Sequence, residues 1–326
     1  LFVTLDWATN EFLDTGKGAK REIPKIPSRS LGEFRDWIAP VIKRRVQQEP
    51  EVASVFSFPV PDMTVPEVVG WDDAHLSCYI ETAEEFADWY RRYAADCAEK
   101  RQALNLTLIL ARLEACFKAA NAPHTLEGYS SGYHDMTSKQ RRCVALAAEE
   151  VAAGNRPIVF ARNPAILHRL AEALEAKGIS TLVFTGERTI KQRNADLEQH
   201  IRSGNVQVML ASLGVTQDGL NLPELNTAIF YNRSYEVRQE RQALFRLIRP
   251  TQQRAVTCRY LHLAGSIDEY MAQVVDWKAL ASESGLDYGE GREDAADFSH
   301  FDAFLYRFIE SVPALTALLG RNTQAA

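Results

Sequence analysis

The chain has 326 residues, 46% hydrophobic and 25% charged, with a net charge of −6 and a pI near 5.7. Length predicts one large domain or two ordinary ones, and composition a soluble globular protein. The acidic balance excludes a global basic field, so any nucleic-acid contact must rest on a local patch.

Residues 1 to 30 offer one short strand, Leu1–Leu5, and a basic loop, Thr15–Lys20. Gly16-Lys17 does not make a phosphate loop, because the Walker spacing needs a Gly five residues earlier and Glu11 stands there. Leu31 to Arg45 reads as a helix, with Leu31, Phe34, Trp37, Ile38, Val41 and Ile42 at helical spacing. Its closing Lys43-Arg44-Arg45 suits a helix C-terminus, where the dipole favours cations. Val52 to Gly70 contains Pro59, Pro61 and Pro66 and reads as an extended linker.

Ala74 to Ile80 is expected as a strand. Thr82 to Ala98 reads as a helix capped by Thr82 and Glu85, with Phe86, Trp89, Tyr90 and Tyr93 on one stripe. Leu104 to Ala120 and Ser138 to Ala153 read as two more helices. Then strands and helices alternate: strand Pro157–Ala161, helix Pro164–Lys177, strand Ser180–Phe184, helix Ile190–Arg202, strand Val206–Ser212, strand Thr227–Tyr231 and strand Ala255–Leu263. This βαβ rhythm predicts a mostly parallel sheet with ligands at the carboxyl ends of its strands. Arg162-Asn163, Thr185-Gly186, Ser212 to Asn221 and the loop after Tyr231 fall there. Beyond Trp277 the chain returns to helix after an acidic connection over residues 283 to 302. Phe298, Phe301, Phe304, Leu305 and Phe308 form a stripe that packs either on the domain or on a partner.

Five scattered cysteines, an odd number, argue for reduced thiols in a cytosolic protein rather than a disulfide framework. Cys258 and His262 lack a second ligand pair, so a buried strand thiol is favoured over a metal site. No apolar run could span a bilayer, so no membrane is expected. A start at Leu1, without Met or a signal-peptide pattern, reads as a segment of a longer protein.

The most informative stretch is Arg241 to Gln252. It sets Gln242, Arg246, Arg249 and Gln252 on one segment. If it is helical, Gln242, Arg246 and Arg249 share a face that Pro250 terminates. Two guanidiniums so placed suit a polyphosphate, although a solvated basic face is the plainer reading. Around it run Gly219-Leu-Asn-Leu, Ile229-Phe-Tyr and Ser266-Ile-Asp-Glu.

In that order these elements resemble the second RecA-like domain of superfamily-two helicases, within them the Swi/Snf-type translocases. The pattern there is Gly-Ile-Asn-Leu, Ile-Phe-Tyr, Gln-x-x-Gly-Arg-x-x-Arg-x-Gly-Gln and Thr-Ile-Glu-Glu. The segment Ile38–Val46 resembles the Leu-Arg-Arg segment that follows the first motor domain in that group.

The resemblance implies an α/β fold: a RecA-like parallel sheet flanked by helices, preceded by a mainly helical insertion and followed by a helical C-terminal extension. The expected divisions are 1–73 (linker and end of the first-lobe region), 74–136 (helical insertion), 137–282 (RecA-like helicase C-terminal domain) and 283–326 (extension). It implies Arg246 and Arg249 as arginine fingers, with Gly219, Asn221 and Gln242 on the ATP side of the cleft. Arg162, Asn163, Ser212, Leu213 and Gly214 would face the backbone of double-stranded DNA. Phe245 and Asp218 stand where the group favours Gly.

No Walker loop and no Asp-Glu-x-His motif occurs in the chain. ATP and Mg would be bound mainly by an N-terminal RecA-like lobe, so this chain would supply half of a composite site and hydrolyse no ATP alone. The alternatives are a non-catalytic RecA-like interaction module and an ordinary α/β nucleotide-binding enzyme.

Overall fold

Apolar runs that bury both of their faces build the centre of the molecule. A computed structural model describes residues 9–14, 20–25, 31–41, 49–54, 66–102, 104–126, 133–217, 220–234, 237–273, 305–315 and 317. The expected strand Leu1–Leu5, residues 15–19 of the basic loop, Lys43–Arg45, residues 283–302 and Phe304 lie outside them.

Strands β1 (Thr9–Asp14) and β2 (Lys20–Lys25) pair antiparallel. Helices α1 (Leu31–Ile38) and α2 (Pro50–Ala53) follow. Next come β3 (Pro66–Val69) and the long helices α3 (Asp73–Glu99) and α4 (Leu106–Asn121). Helix α5 (Ser138–Ala152) opens the alternating part, with β4 (Pro157–Ala161), α6 (Pro164–Glu175), β5 (Thr181–Phe184), α7 (Ile190–Asp196), β6 (Val208–Ser212), β7 (Thr227–Phe230), α8 (Val237–Leu244) and β8 (Thr257–Leu263). Helices α9 (267–273) and α10 (305–315) complete the described chain.

Six strands form one parallel sheet in the order β3-β8-β7-β4-β6-β5. Successive side chains point to opposite faces. Ile158, Phe160, Met209, Ala211, Ala228 and Phe230 enter one core with α8 and the turn behind it. Val159, Ala161, Val208, Leu210, Ile229 and Tyr231 enter another, under α5 and α6. Burial on both sides explains why these strands are continuously apolar rather than alternating.

The helix boundaries have local causes. Thr137 caps α5 in a capping box with Gln140, and Thr189 caps α7 with Gln192. Gly178, at φ 78°, turns the chain out of α6 in a conformation that a Cβ would strain.

Three expectations are corrected. Ala74–Ile80 is not a strand but the first part of α3, because Leu76, Tyr79, Ile80, Ala83, Phe86 and Ala87 form one buried helical stripe. Thr82 therefore caps nothing; it sits in mid-helix, and its hydroxyl donates to the Cys78 carbonyl at 2.9 Å. The supposed linker contributes β3 to the sheet edge, where it pairs with β8 and the Val69 carbonyl accepts from Ala264 N at 2.9 Å.

A third core joins α3 and α4 to Leu263, Ile267 and Met271, with α10 contributing Leu305, Phe308 and Val312. Phe308 stands 6.0 Å from Phe86 and edge-on to Tyr270. Leu305 and Phe308 thus pack on the protein itself.

Between this core and the sheet lies a buried ion pair. Lys139 of α5, wholly buried, donates to Asp268 Oδ2 at 2.6 Å and to Asn121 Oδ1 at 2.7 Å, and sits 4.6 Å from the Tyr231 ring centroid. Asn121 Nδ2 donates to Asp268 Oδ1 at 2.9 Å. Three helices, α4, α5 and α9, meet through these side chains. Burial, the largest single effect, pushes the Asp268 carboxyl up, but the charges of Lys139 and His262 and the hydrogen bonds from Lys139 and Asn121 together hold it below its usual value; at Lys139 itself burial is the larger effect.

Two histidines border the pair. His75 and His262 are both buried, and burial lowers each to about 4. Their folded values lie below the unfolded one, so the unfolded chain takes up the protons first as pH falls. The stability that rests on their neutrality is complete above pH 6.5 and is lost as pH falls toward 4, by on the order of 3 kcal/mol per histidine. Urea unfolding between pH 7.5 and 4 should show this decline, and His262→Gln should flatten it. A pH-independent midpoint across that range would contradict it.

Candidate ATPase and nucleic-acid interface

The expected site residues come from the carboxyl ends of β4 and β6, the loop before β7, and the segment behind α8. Strands β4 and β6 are neighbours in register, with Ala161 opposite Ser212. Arg162-Asn163 and Leu213-Gly214 therefore leave the sheet side by side.

Their side chains are differently disposed. The Arg162 guanidinium turns to α4: it lies 5.2 Å from the Phe117 ring centroid and donates to Glu114 at 3.3 Å. Its backbone N–H donates to Asn232 Oδ1 at 3.0 Å. Asn163 caps α6, its Oδ1 accepting from Ala165 N at 2.9 Å. Ser212 and Leu213 are buried, whereas Gly214 is exposed in a 3-10 turn, Leu213–Gln217. A Cβ on Gly214 would meet nothing within 4 Å.

The arginine segment departs from the helical expectation. Helix α8 ends at Leu244, well before Pro250. The chain then tightens: Arg246 N donates to Ala243 O at 3.2 Å and Leu247 N to Leu244 O at 2.9 Å. Leu244, Leu247 and Ile248 are all buried in the core beside Ala243. Arg246 thus lies in the turn and Arg249 beyond it; they do not share a helix face with Gln242. Gln242, Arg246 and Arg249 are each half-buried, and the Arg249 Nε is enclosed without a hydrogen-bond partner.

The turn is fastened to the preceding loop. Leu222 N donates to the Arg246 carbonyl at 3.0 Å, and Leu213, Val215, Leu220, Leu222, Leu244 and Leu247 share one apolar cluster. Asn221 is exposed between two of these buried leucines; Gly219 and Asp218 lie outside the described residues. Gln252 is buried, and its Nε2 donates to the Leu225 and Leu247 carbonyls at 2.8 and 3.2 Å. It clamps the segment rather than facing a ligand.

A second buried ion pair was not anticipated. Arg233, after β7, donates from Nε to both carboxylate oxygens of Glu240 at 3.1 and 2.9 Å, with side chains only 8% and 1% exposed. Glu240 also accepts from Ser234 N and, at 3.3 Å, from the Tyr260 hydroxyl. Burial raises the Glu240 carboxyl, and Arg233 opposes that rise. The available signal was an acid preceding Gln242 on the apolar side of α8.

A six-stranded parallel sheet flanked by helices, with helices before it and a helix after it, is a RecA-like architecture. Residues 138–251 match the helicase conserved C-terminal domain family. Curated relatives include the ATP-dependent helicase fft2 of Schizosaccharomyces pombe, 28% identical over 144 residues, covering 44% of this chain and 11% of that protein. Mouse (Mus musculus) DNA excision repair protein ERCC-6 is 30% identical over 116 residues, covering 36% and 8%. The chain thus spans only a small part of either relative's length. The Sulfolobus solfataricus SWI2/SNF2 ATPase core domain superposes with a TM-score of 0.55 at 16% identity, over 80% of this chain and 51% of that one. The core of that ATPase in complex with dsDNA gives 0.51 at 17%, over 76% and 50%. Residues 138–251 are thus similar to the conserved C-terminal domain of helicases, and the whole fold to that of SWI2/SNF2 ATPase cores. No helix among the described residues is long and apolar enough to cross a membrane.

Proposed function

We propose that this chain is the second half of an ATP-driven translocase on double-stranded DNA. Arg246 and Arg249 reach the phosphates of ATP, which an N-terminal RecA-like lobe of the same protein holds with Mg. Gly219, Asn221 and Gln242 line the nucleotide side. Gly214, the Ser212–Leu213 backbone and the Arg162–Asn163 strand end face the DNA backbone. The observation that carries this reading is the Leu222 N to Arg246 O bond, which joins the arginine turn to the Asn221 loop. Two elements expected on one cleft are thereby held as one unit, and preorganised cations of this kind stabilise phosphoryl transfer without rearranging. Bound Mg-ATP would supply the reacting phosphate, and this chain only positions positive charge near it.

The alternative, a non-catalytic RecA-like interaction module, draws on Phe245, which is 38% exposed where the group favours Gly. DNA binding by the full-length protein tests the translocase reading. A handful of backbone contacts should give affinity indifferent to sequence, with a log–log salt slope of about −2 to −5. Sequence-selective binding that persists at high salt would contradict it.

A further inference from the structure

We infer that Glu240 is a positioning residue for the arginine turn, acting from inside the fold through α8. The inference rests on the reading of Arg246 given above.

Glu240 lies in the middle of α8, six residues before Arg246, and its side chain is 1% exposed. Four contacts converge on one carboxylate. Arg233 binds both oxygens, Ser234 N donates to Oε1, and the Tyr260 hydroxyl donates to Oε2. These donors come from the loop after β7 and from β8, so Glu240 ties the helix to two strands at once. Arg233 also lies 4.4 Å from the Tyr260 ring centroid, and Tyr260 stacks on Phe230, which stacks on Phe160. The carboxylate is therefore anchored to a column of rings that crosses β8, β7 and β4.

A guanidinium N–H shared between both oxygens of a carboxylate that also accepts from Ser234 N and the Tyr260 hydroxyl fixes orientation as well as distance. It therefore fixes the rotation of α8 about its axis, and with it the direction in which Gln242 and the Leu244–Arg246 turn leave the helix. Apolar packing of Ala243 and Leu244 alone tolerates small rotations. A buried ion pair adds little net stability over an apolar replacement, so its value here lies in geometry.

The test uses the full-length protein with saturating double-stranded DNA, measuring kcat, KM for ATP and melting temperature. Glu240→Gln keeps one acceptor but loses the charge and the second oxygen that the Arg233 N–H spans. Displacement of about 1 Å at a catalytic group costs on the order of 100-fold, so kcat should fall about tenfold to a hundredfold. KM should stay near its native value, while the melting temperature should fall, because Arg233 is left buried without a counter-charge. Because Glu240 acts through Arg246, Glu240→Gln/Arg246→Ala should be no slower than Arg246→Ala alone. Native kcat in folded Glu240→Gln, or independent multiplying losses in the double variant, would overturn the inference. If Glu240→Gln fails to fold, Arg233→Met/Glu240→Met, which leaves no charge buried, takes its place under the same criteria. A slow Arg246→Ala beside a native Glu240→Gln sinks the positioning role only. A native Arg246→Ala sinks the arginine reading itself, and the positioning role with it.

Discussion

Asp268→Ala should destabilise the protein by about 3–5 kcal/mol, the cost of leaving one member of a buried ion pair uncompensated. Lys139 is wholly buried. Without Asp268 it would keep only Asn121 Oδ1 and the Tyr231 ring. Asn121 Nδ2 would lose a partner, and Leu263 N would lose its 3.3 Å acceptor. Because the pair joins α4, α5 and α9, the loss should also loosen α4 from the sheet. Lys139→Met/Asp268→Leu removes both charges and should recover most of the stability, since apolar groups of similar volume replace a buried pair at little cost. Denaturant unfolding of the two variants checks this. A loss below about 1 kcal/mol in Asp268→Ala, or a double variant no better than the single one, would contradict it.

Arg246→Ala should lower DNA-stimulated ATP turnover in the full-length protein by about a thousandfold or more, the worth of a transition-state arginine. Arg249→Ala should act in the same direction. Neither change should unfold the protein. The turn is held by Leu244, Leu247 and Ile248 in the core, by Leu222 N on the Arg246 carbonyl, and by the Gln252 clamp. All of these survive truncation of the arginine side chains. Lys should rescue poorly at either position, because an ammonium lacks the planar fork that spans two phosphate oxygens.

Much of this was legible in the chain. The runs Pro157–Ala161 and Thr227–Phe230 read as strands because burial on both faces makes them continuously apolar, and the Gly residues after α5 and α6 mark true stops. Ala74–Ile80 misled because a seven-residue window of Leu, Cys, Tyr and Ile fits either period; only its continuation to Phe86 and Ala87 shows the helical one. The Val52–Gly70 stretch did read as extended, but pairing of four of its residues with β8 is a long-range fact that local propensity does not carry. At the arginine segment Pro250 was an obvious stop signal, yet the helix ends at Leu244, and the apolar spacing of Ala243, Leu244, Leu247 and Ile248 fits a longer helix and gives no sign of the earlier end. Lys139 was readable in principle. It occupies the stripe of Cys143 and Leu146 on α5, and a cation on an apolar stripe implies a buried anion. The partner, Asp268, lies 129 residues away, which no spacing rule reaches.

The most direct measurement is made on Arg246→Ala and Arg249→Ala in the full-length protein: melting temperature, affinity for double-stranded DNA and DNA-stimulated ATP turnover, side by side. Expected are a native melting temperature, near-native DNA affinity and turnover lower by about a thousandfold. Native turnover in both variants would return the two arginines to a solvated basic segment and contradict the composite-site reading.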